Sequence, residues 1–361
     1  MAEKEQGAER IMGKRFRGFT VVLGMSILLS MPVFAEESSS GAVYGNANTT
    51  ASLTEDKTSS GNAPIYVRNG DSTPTYTDST IGLGGAKITM LKGNESGQQI
   101  SIVIETNDGQ LIVVDGGLKT NAPYLCKYIK AKGGKVAAWL LTHPHVDHVG
   151  ALAVILEQQK VAGHPDYFNI DPGQIYYSFA PYSYYEQYEQ KYRLPVISEI
   201  MEDLSQYPAE KKHENSPRGT TFSYGNVSVE ILNTAYSIPI DTGNNSSICY
   251  RITINGKTLL ITGDLPYEAA GKLLEELPPE KLKADIVQMA HHGQHGGSFA
   301  FYSAVQPKYA LWPSSKELWD HRKDSFTEDQ QVYTVALTKY WTNKLGVEKN
   351  FVMADGNWVL E

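Results

Sequence analysis

The sequence predicts an α/β fold with a two-sheet core, and three observations support this class. Two β-rich runs early in the chain flank Asn107-Asp108-Gly109, a strong hairpin signal. An apolar run at 136–141 has the length of a short buried strand, and the apolar run at 151–156 reads as the helix that follows it. The last third then alternates short β-rich runs with helical patterns. The chain has 361 residues, 41% of them hydrophobic, enough for a substantial core.

The spacing of apolar residues and the positions of turn-forming residues predict the individual strands and helices. Asn255-Gly256 predicts a second two-residue hairpin, and Pro266 can begin a helix because its missing N–H costs nothing there. The segments 211–218 and 241–247 are polar and are predicted as loops, with His213 on the surface. The predicted strands are 87–91, 99–105, 111–115, 136–141, 174–179, 220–223, 227–232, 248–254, 258–262, 284–289, 309–312 and a terminal β-hairpin that turns at Asp355-Gly356. The predicted helices are 121–132, 151–156, a segment from about 183, 199–205, a helix from Pro266, 298–305 and 327–342.

The N-terminal segment predicts export from the cell. Three basic residues, Lys14, Arg15 and Arg17, precede an apolar stretch at 19–31 and small residues before Glu36. This pattern is typical of a signal peptide at 1–35, after which no stable membrane span is expected; an uncleaved anchor is the alternative. Residues 36–80 are rich in Ser, Thr, Gly and Asn and are predicted to be a disordered linker. The folded domain is expected at 81–361, and the protein is expected to be secreted.

Charge and cysteine content argue against a general polyanion-binding protein and against a disulfide-stabilised scaffold, although a local basic patch remains open. The net charge of -8 argues against general affinity for polyanions. The two cysteines, Cys126 and Cys249, do not make a disulfide framework and are expected to be free and buried. No protein partner is indicated.

One stretch, 142–150, carries the strongest chemical signal in the chain. His143, His145, Asp147 and His148 lie on the predicted turn between a strand and a helix, where open α/β sheets place their sites. The period-2 spacing puts the first two rings on one side of an extended segment. Asp147 and His148 are adjacent and project differently, which suits a second metal ion. Imidazole with carboxylate suits zinc, manganese or iron.

Other polar residues follow the ends of other predicted strands. Asp115 opens a turn with two glycines and can orient metal ligands. Asp264 follows the strand at 258–262, and the pair His291-His292 follows the strand at 284–289. In a two-sheet core these ends can meet at one edge, where a single carboxylate such as Asp264 can bridge two metals.

These motifs resemble the signature of the metallo-β-lactamase superfamily. The residues around these motifs resemble the sequences of its ComEC-like and phosphorylcholine-esterase-like branch, over about residues 86–354. The stretches that carry this likeness are Asn-Ser-Ser-Ile at 245–248, Leu-Ile-Thr-Gly-Asp-Leu at 260–265, Ala-Asp-Ile-Val at 284–287 and His-His-Gly at 291–293. The resemblance implies an αββα two-sheet sandwich.

The resemblance also implies two divalent metal ions, with zinc favoured and manganese as the alternative. The first metal would be held by His143, His145 and Asp264. The second would be held by Asp147, His148, Asp264 and His292. Asp147 and His291 are the candidate catalytic residues, with His291 in contact with the substrate or acting as general acid.

One departure from the superfamily pattern concerns the first metal. Many members have a further histidine where this chain has Asn244-Asn245, so the first metal lacks one protein ligand, and β-lactamase activity is disfavoured. An amide carbonyl of this pair is a possible weak ligand. His295 is a possible substrate contact, whereas His164 and His321 are expected on the surface.

A tyrosine-rich insertion is expected at about 174–218. Tyrosine accounts for 22 residues of the chain, and the residues that crowd this segment include Tyr176, Tyr177, Tyr182, Tyr184, Tyr185, Tyr188 and Tyr192. Two interpretations remain open. The segment either packs on the domain with solvated phenols, or it covers the metals and grips the substrate with its rings.

The expected function is phosphodiester hydrolysis by a hydroxide that bridges the two metals. The expected partner is a phosphodiester-containing substrate, either at the cell surface or in a nucleic acid. One alternative is hydrolysis of a carboxylic ester, lactone or amide on the same metals. The other is a surface binding protein with a degenerate site.

Overall fold

The structure is a computed structural model, and it describes residues 73–93, 96–320 and 335–361. These residues belong to one compact unit, Ser59–Glu361. The described segments form fifteen strands, which assemble into two sheets, together with ten α-helices and several short 3₁₀ turns.

The strands are short and mostly buried, as expected for a sheet that is covered on both faces. They are β1 Thr75–Asp78, β2 Lys87–Met90, β3 Ser101–Glu105, β4 Leu111–Asp115, β5 Ala138–Leu140, β6 Gln174–Tyr177, β7 Lys212–Glu214, β8 Thr221–Tyr224, β9 Val227–Ile231, β10 Tyr250–Ile254, β11 Lys257–Ile261, β12 Ile286–Gln288, β13 Tyr309–Trp312, β14 Lys349–Val352 and β15 Asn357–Leu360.

The α-helices connect these strands and cover the outer faces of the sheets. They are α1 Ala122–Ala131, α2 Val146–Gln158, α3 Tyr182–Tyr188, α4 Leu194–Gln206, α5 Thr242–Asn245, α6 Tyr267–Glu276, α7 Pro279–Leu282, α8 Phe299–Val305, α9 Lys316–Asp320 and α10 Val335–Lys344.

Both sheets are mixed. The first has the strand order β1-β15-β2-β3-β4-β5-β6-β7, antiparallel from β15 to β4 and parallel from β4 to β7. The second has the order β14-β13-β12-β11-β10-β9-β8, with parallel pairing from β14 to β11 and antiparallel pairing beyond. The strands β1 and β15 are also parallel, although they lie at opposite ends of the described domain. The other parallel neighbours are connected through helices, which is the usual crossover.

Alternation along the strands produces four layers. In β4, Ile112 and Val114 pack between the two sheets, whereas Val113 packs against the helical layer outside the first sheet. In β11 the same alternation points Leu259 and Ile261 inward and Leu260 toward the helices outside the second sheet. Because successive side chains of a strand point to opposite faces, both faces of each sheet are buried. The prediction of an αββα two-sheet sandwich is confirmed.

Three local predictions are wrong. The predicted C-terminal hairpin does not form: β14 pairs with β13 in the second sheet, whereas β15 pairs with β1 and β2 in the first. Residues 211–218 include the edge strand β7, and the ring of His213 stacks on Tyr176 at a centroid distance of 4.3 Å instead of lying free on the surface. The polar segment 241–247 contains the short helix α5 and is largely buried.

The linker boundary also shifts. Strand β1 lies within the segment 36–80 that the sequence predicts as linker, so the predicted boundary at 80 is several residues too late. The predicted signal peptide, most of the linker and His321 lie outside the described residues. Within the described part of the chain, no helix combines the length and the apolar character needed to cross a bilayer.

Candidate metal centre

The ends of three strands bring the predicted ligands together. His143 follows β5, and His145 immediately precedes α2, whose first turn carries Asp147 and His148. Asp264 follows β11. The last member, His292, lies in the 3₁₀ turn after β12. All six residues therefore lie close together at the ends of these strands.

Two groups of potential metal donors share Asp264. One consists of His143, His145 and Asp264, and the other of Asp147, His148, Asp264 and His292. Within each group the donor atoms lie within 4.8 Å of one another. His148 Nε2 is 3.2 Å from Asp264 Oδ1, and His143 Nε2 is 3.8 Å from Asp264 Oδ2. The Asp264 carboxylate therefore faces both groups.

The buried donor atoms fit divalent cations. His148 Nε2, His292 Nε2 and Asp264 Oδ1 are buried without a hydrogen-bond partner in the described structure. Such orphaned polar atoms cost free energy unless an ion or a ligand satisfies them. Imidazole and carboxylate are the donors that zinc, manganese and iron prefer. The residues present therefore fit two metal ions, one in each group.

The outer nitrogens of three ligand rings have oxygen partners. His148 Nδ1 is 2.8 Å from Asp115 Oδ2, and His292 Nδ1 is 3.0 Å from the carbonyl oxygen of Pro313. His143 Nδ1 is 3.2 Å from the Thr142 hydroxyl. An acceptor at Nδ1 keeps the proton there and leaves Nε2 free to coordinate. Asp115 is thus positioned to orient the ring of His148, as the sequence analysis expects. Its backbone adopts a left-handed φ of 57°.

Burial and the neighbouring charges shift the pKa values of Asp264 and His292 in opposite directions, and they shift that of His143 in the same direction. Burial would raise the pKa of Asp264, but the neighbouring His148 and His292 outweigh this effect and hold it well below its usual range. Burial would lower the pKa of His292, but Asp264 and Asp147 raise it to about 9. For His143, burial and the adjacent His148 both lower the pKa. Without metal, the carboxylates are thus balanced by protonated rings in the second group.

The predicted asparagines lie beside the first donor group. The side-chain nitrogen of Asn244 donates to Asp241 at 2.9 Å, and its Oδ1 is buried with no hydrogen-bond partner in the described structure. Asn245 instead donates to the carbonyl oxygen of Ile240 at 2.6 Å. The Oδ1 of Asn245 is likewise buried with no hydrogen-bond partner in the described structure, and the side-chain nitrogen of Asn244 lies 3.3 Å from His291 Nε2.

The two remaining histidines of this region occupy different positions. His291 belongs to neither donor group but lines the pocket in front of them. Burial lowers its pKa, which favours the neutral ring. His295 is exposed and is absent from the residues that line this pocket. His291 therefore lines the pocket beside the donor groups, and His295 does not.

The pocket has a volume of about 500 Å³. Its walls include Leu118, Lys119, Val146, Tyr192, Arg193 and Val196, and His145, Asp147, Asp264 and His291 also line it. Of the crowded tyrosines only Tyr192 is among the lining residues, and it is 73% exposed. By contrast, Tyr185 is fully buried and donates to Ser246 at 2.9 Å. The tyrosine-rich segment therefore mainly packs on the domain, with Tyr192 at the mouth of the pocket.

Two charged residues of this insertion were not anticipated from the sequence. Glu189 lies at the end of α3 with its carboxylate 3.6 Å from His145 Nε2, and Arg193 NH1 lies 3.3 Å from the same nitrogen. Burial would raise the pKa of Glu189, but its contacts with His145 and backbone N–H groups lower it to about 2. Neither residue belongs to a motif of fixed spacing, so no sequence signal distinguishes it from the other charged residues of the segment.

The two-sheet fold and the two donor groups are those of an αββα protein that can bind metal ions. Residues 96–196 match the sequence model of the Metallo-beta-lactamase superfamily. The members of this superfamily are metal-dependent hydrolases, and the resemblance that the sequence motifs predict is confirmed over this stretch.

A curated relative is ComE operon protein 3 of Bacillus subtilis (strain 168). It is 25% identical over 199 residues, which is 53% of this chain and 22% of that protein. The chain thus spans less than a quarter of the length of this relative.

Similar solved structures include the metallo-beta-lactamase fold protein YhfI from Bacillus subtilis and Zn(2+)-bound PqqB from Methylobacterium extorquens. Each is 13% identical to this chain and covers 76% of it, with 99% of its own chain aligned. The TM-scores are 0.44 and 0.43, respectively.

Proposed function

We propose that this protein is a phosphodiesterase that uses two divalent metal ions, zinc in preference to manganese. The observation that carries this proposal is the shared carboxylate of Asp264, which faces two groups of donors, one of three residues and one of four. When bound, a pair of metals neutralises a phosphate and activates water for an in-line attack. The chain's own residues then have to bind the substrate, orient it and handle protons.

The carboxylates of Asp147 and Asp264 in the pocket are assigned to the metals, and the remaining charged residues of its lining favour an anionic substrate. Lys119 and Arg193 line it, whereas their carboxylate partners, Glu199 and Glu189, do not. The Glu189 side chain is only 2% exposed, so the guanidinium of Arg193 is the group that the substrate meets. A guanidinium fork matches the oxygens of a phosphate in geometry and charge. A neutral carboxylic ester has no need for these two cations.

His291 is assigned to the substrate. Its ring lines the pocket outside both donor groups, 3.9 Å from Asp264 Oδ2. Because burial lowers its pKa, the ring is mainly neutral near pH 7, which favours a hydrogen bond to a phosphoryl oxygen over donation of a proton to the leaving group. Asp147 holds His292 by a contact of 3.2 Å and faces the same pocket.

The decisive experiment compares two substrates on one metal-loaded preparation. Bis-p-nitrophenyl phosphate should be hydrolysed faster than p-nitrophenyl acetate. Arg193→Gln should lower kcat/KM for the phosphodiester about 10- to 100-fold, the loss of one or two charge-assisted hydrogen bonds. Its effect on hydrolysis of the acetate should be smaller, because the acetate has no anionic oxygen for the guanidinium to bind.

Lys191→Gln is the matched control, because it removes a positive charge two residues away from a side chain that is exposed and does not line the pocket. Turnover of the acetate alone would overturn the phosphodiesterase proposal and support an ester hydrolase. Equal loss in both charge variants would remove the specific role of Arg193.

The location of the activity is a separate proposal. We propose that the protein acts outside the cell, because the basic and apolar segments at its N-terminus precede small residues before Glu36. Cell fractionation and N-terminal sequencing test this. A mature chain that begins at Glu36 in the medium supports export, and a full-length chain retained in the cell refutes it.

A further inference from the structure

The carboxylate of Glu189 is surrounded by hydrogen-bond donors. Its Oε2 accepts from the backbone N–H of Gly243 at 2.6 Å, and its Oε1 accepts from the N–H of Gln190 at 2.9 Å. Arg193 NH1 donates to Oε1 at 3.2 Å. The fourth neighbour is His145 Nε2, which is 3.6 Å from Oε2. A shift of about 0.6 Å brings this last contact into hydrogen-bond range.

The orientation of the His145 ring decides what this contact means. Its Nδ1 lies 3.0 Å from His143 Nε2 and therefore faces the first donor group, so Nε2 is the outer nitrogen. When Nδ1 donates its lone pair to a metal, the ring proton resides on Nε2. Arg193 NH1, 3.3 Å away, cannot donate to a protonated nitrogen. The Glu189 carboxylate can accept a hydrogen bond both from the Nε2–H of His145 and from Arg193.

We propose that Glu189 is the positioning residue of the first metal: it accepts the Nε2 proton of His145 and so holds Nδ1 toward the ion. This inference rests on the two-metal site of the proposed function but not on its substrate. It completes a pattern in which Thr142, Asp115 and Pro313 supply the oxygen partners of the other three ligand rings. It also links the tyrosine-rich insertion to the metal centre.

Gly243 gives independent support for a fixed position of this ring. A Cβ at Gly243 would lie 2.1 Å from His145 Nε2 and 2.9 Å from Glu189 Oε2. No residue larger than glycine leaves room for the ring and the carboxylate at the distances observed. The φ of Gly243 is outside the left-handed region, so space, and not backbone conformation, requires glycine here.

The test is a metal titration of Glu189→Gln. All four neighbours of the carboxylate are donors, so an amide, which offers one acceptor oxygen and two N–H donors, leaves some of them without a partner. We expect one of the two Co²⁺ affinities, measured by chelator competition, to fall about 10- to 100-fold, with the other affinity unchanged. The d–d spectrum of the weakened site should change. Glu189→Asp, which retains the charge, should restore part of the affinity.

Two controls make the result specific. Glu186→Gln removes an exposed carboxylate from the same helix and should leave both affinities and the melting temperature unchanged. ¹⁵N-histidine NMR of the Co²⁺-free, zinc-loaded protein should show the His145 proton on Nε2 and its loss or shift in Glu189→Gln. Gly243→Ala, which displaces the ring directly, should weaken the same metal if Glu189→Gln fails to fold.

The outcomes separate the two proposals. If the wild-type protein binds fewer than two metals, the two-metal function fails. If the wild-type protein binds two metals and Glu189→Gln binds both with wild-type affinities, the positioning role of Glu189 fails while the function stands. A proton on Nδ1 of His145 in the metal-loaded protein would also overturn the positioning role.

Discussion

Asp115→Asn tests how strictly the ring of His148 is held. The Asp115 side chain is fully buried and accepts three hydrogen bonds, from the Thr142 N–H at 2.7 Å, from the Thr142 hydroxyl at 2.8 Å and from His148 Nδ1 at 2.8 Å. Its left-handed φ of 57° is tolerated by asparagine, so the backbone should not change. The substitution therefore alters hydrogen bonding and charge at constant shape.

The size of the effect follows from the bonds that an amide can keep. The Asn oxygen can still accept from the Thr142 N–H, and the Thr142 hydroxyl can rotate to accept from the new NH₂ group. His148 cannot adapt in this way, because Nδ1 accepts only if the proton moves to Nε2, the atom that faces Asp264. One hydrogen bond to a charged acceptor is lost, about 2 kcal/mol. Loss of such a ring partner lowers metal affinity about 10- to 100-fold, or about 1.4–2.8 kcal/mol.

Urea unfolding of the metal-free protein and calorimetric metal titration measure these two quantities separately. We expect Asp115→Asn to unfold with a free energy lower by about 2 kcal/mol and to bind its second metal more weakly. Asp166→Asn, a change at an exposed carboxylate, is the control. If Asp115→Asn binds both metals as tightly as the wild-type protein, the ring of His148 does not depend on this carboxylate, and the reasoning is refuted.

Three further predictions concern the centre. Asp264→Ala should leave less than about one metal per chain by elemental analysis and lower the rate by orders of magnitude, because both donor groups lose their shared carboxylate; two retained metals would contradict this. His291→Ala should keep both metals and lose rate on bis-p-nitrophenyl phosphate; loss of metal would instead make it a ligand. In the metal-free protein, the raised pKa of His292, about 9, stabilises the fold below its unfolded value near 6.5. Urea unfolding should therefore show stability falling from about pH 6.5 to about pH 9, while metal affinity rises over the same range; a flat profile would exclude this linkage.

The strand and the helix that flank the motif could be predicted because their signal is local, within residues 136–158. The helix begins at Val146 and not at 151, so Asp147 and His148 lie in its first turn instead of on the predicted turn. The positions of Asp264 and His292 were predictable for the same reason, since each follows a short β-rich run. The meeting of the three ends then follows from the two-sheet architecture.

The errors arise where partners are distant in sequence. Asp355-Gly356 indicates a turn, but it does not say that the strands on its two sides enter different sheets. His213 lies in a polar segment, and its place beside Tyr176 depends on the packing of an edge strand. Glu189 gains its importance from the approach of α3 to α5, which no spacing in the sequence encodes.

The route of β15 has a consequence for how the domain folds. This strand inserts between β1 and β2, so Asn357 pairs with Thr75 and Trp358 pairs with Met90, across more than 260 residues of chain. Loop closure over such a span is entropically expensive and slow. We expect the pairing of β15 with β1 and β2 to form late, after the strands that carry the metal donors have assembled. Destabilised variants should therefore lose this pairing first, and a protease that cuts there should leave the metal-donor region folded.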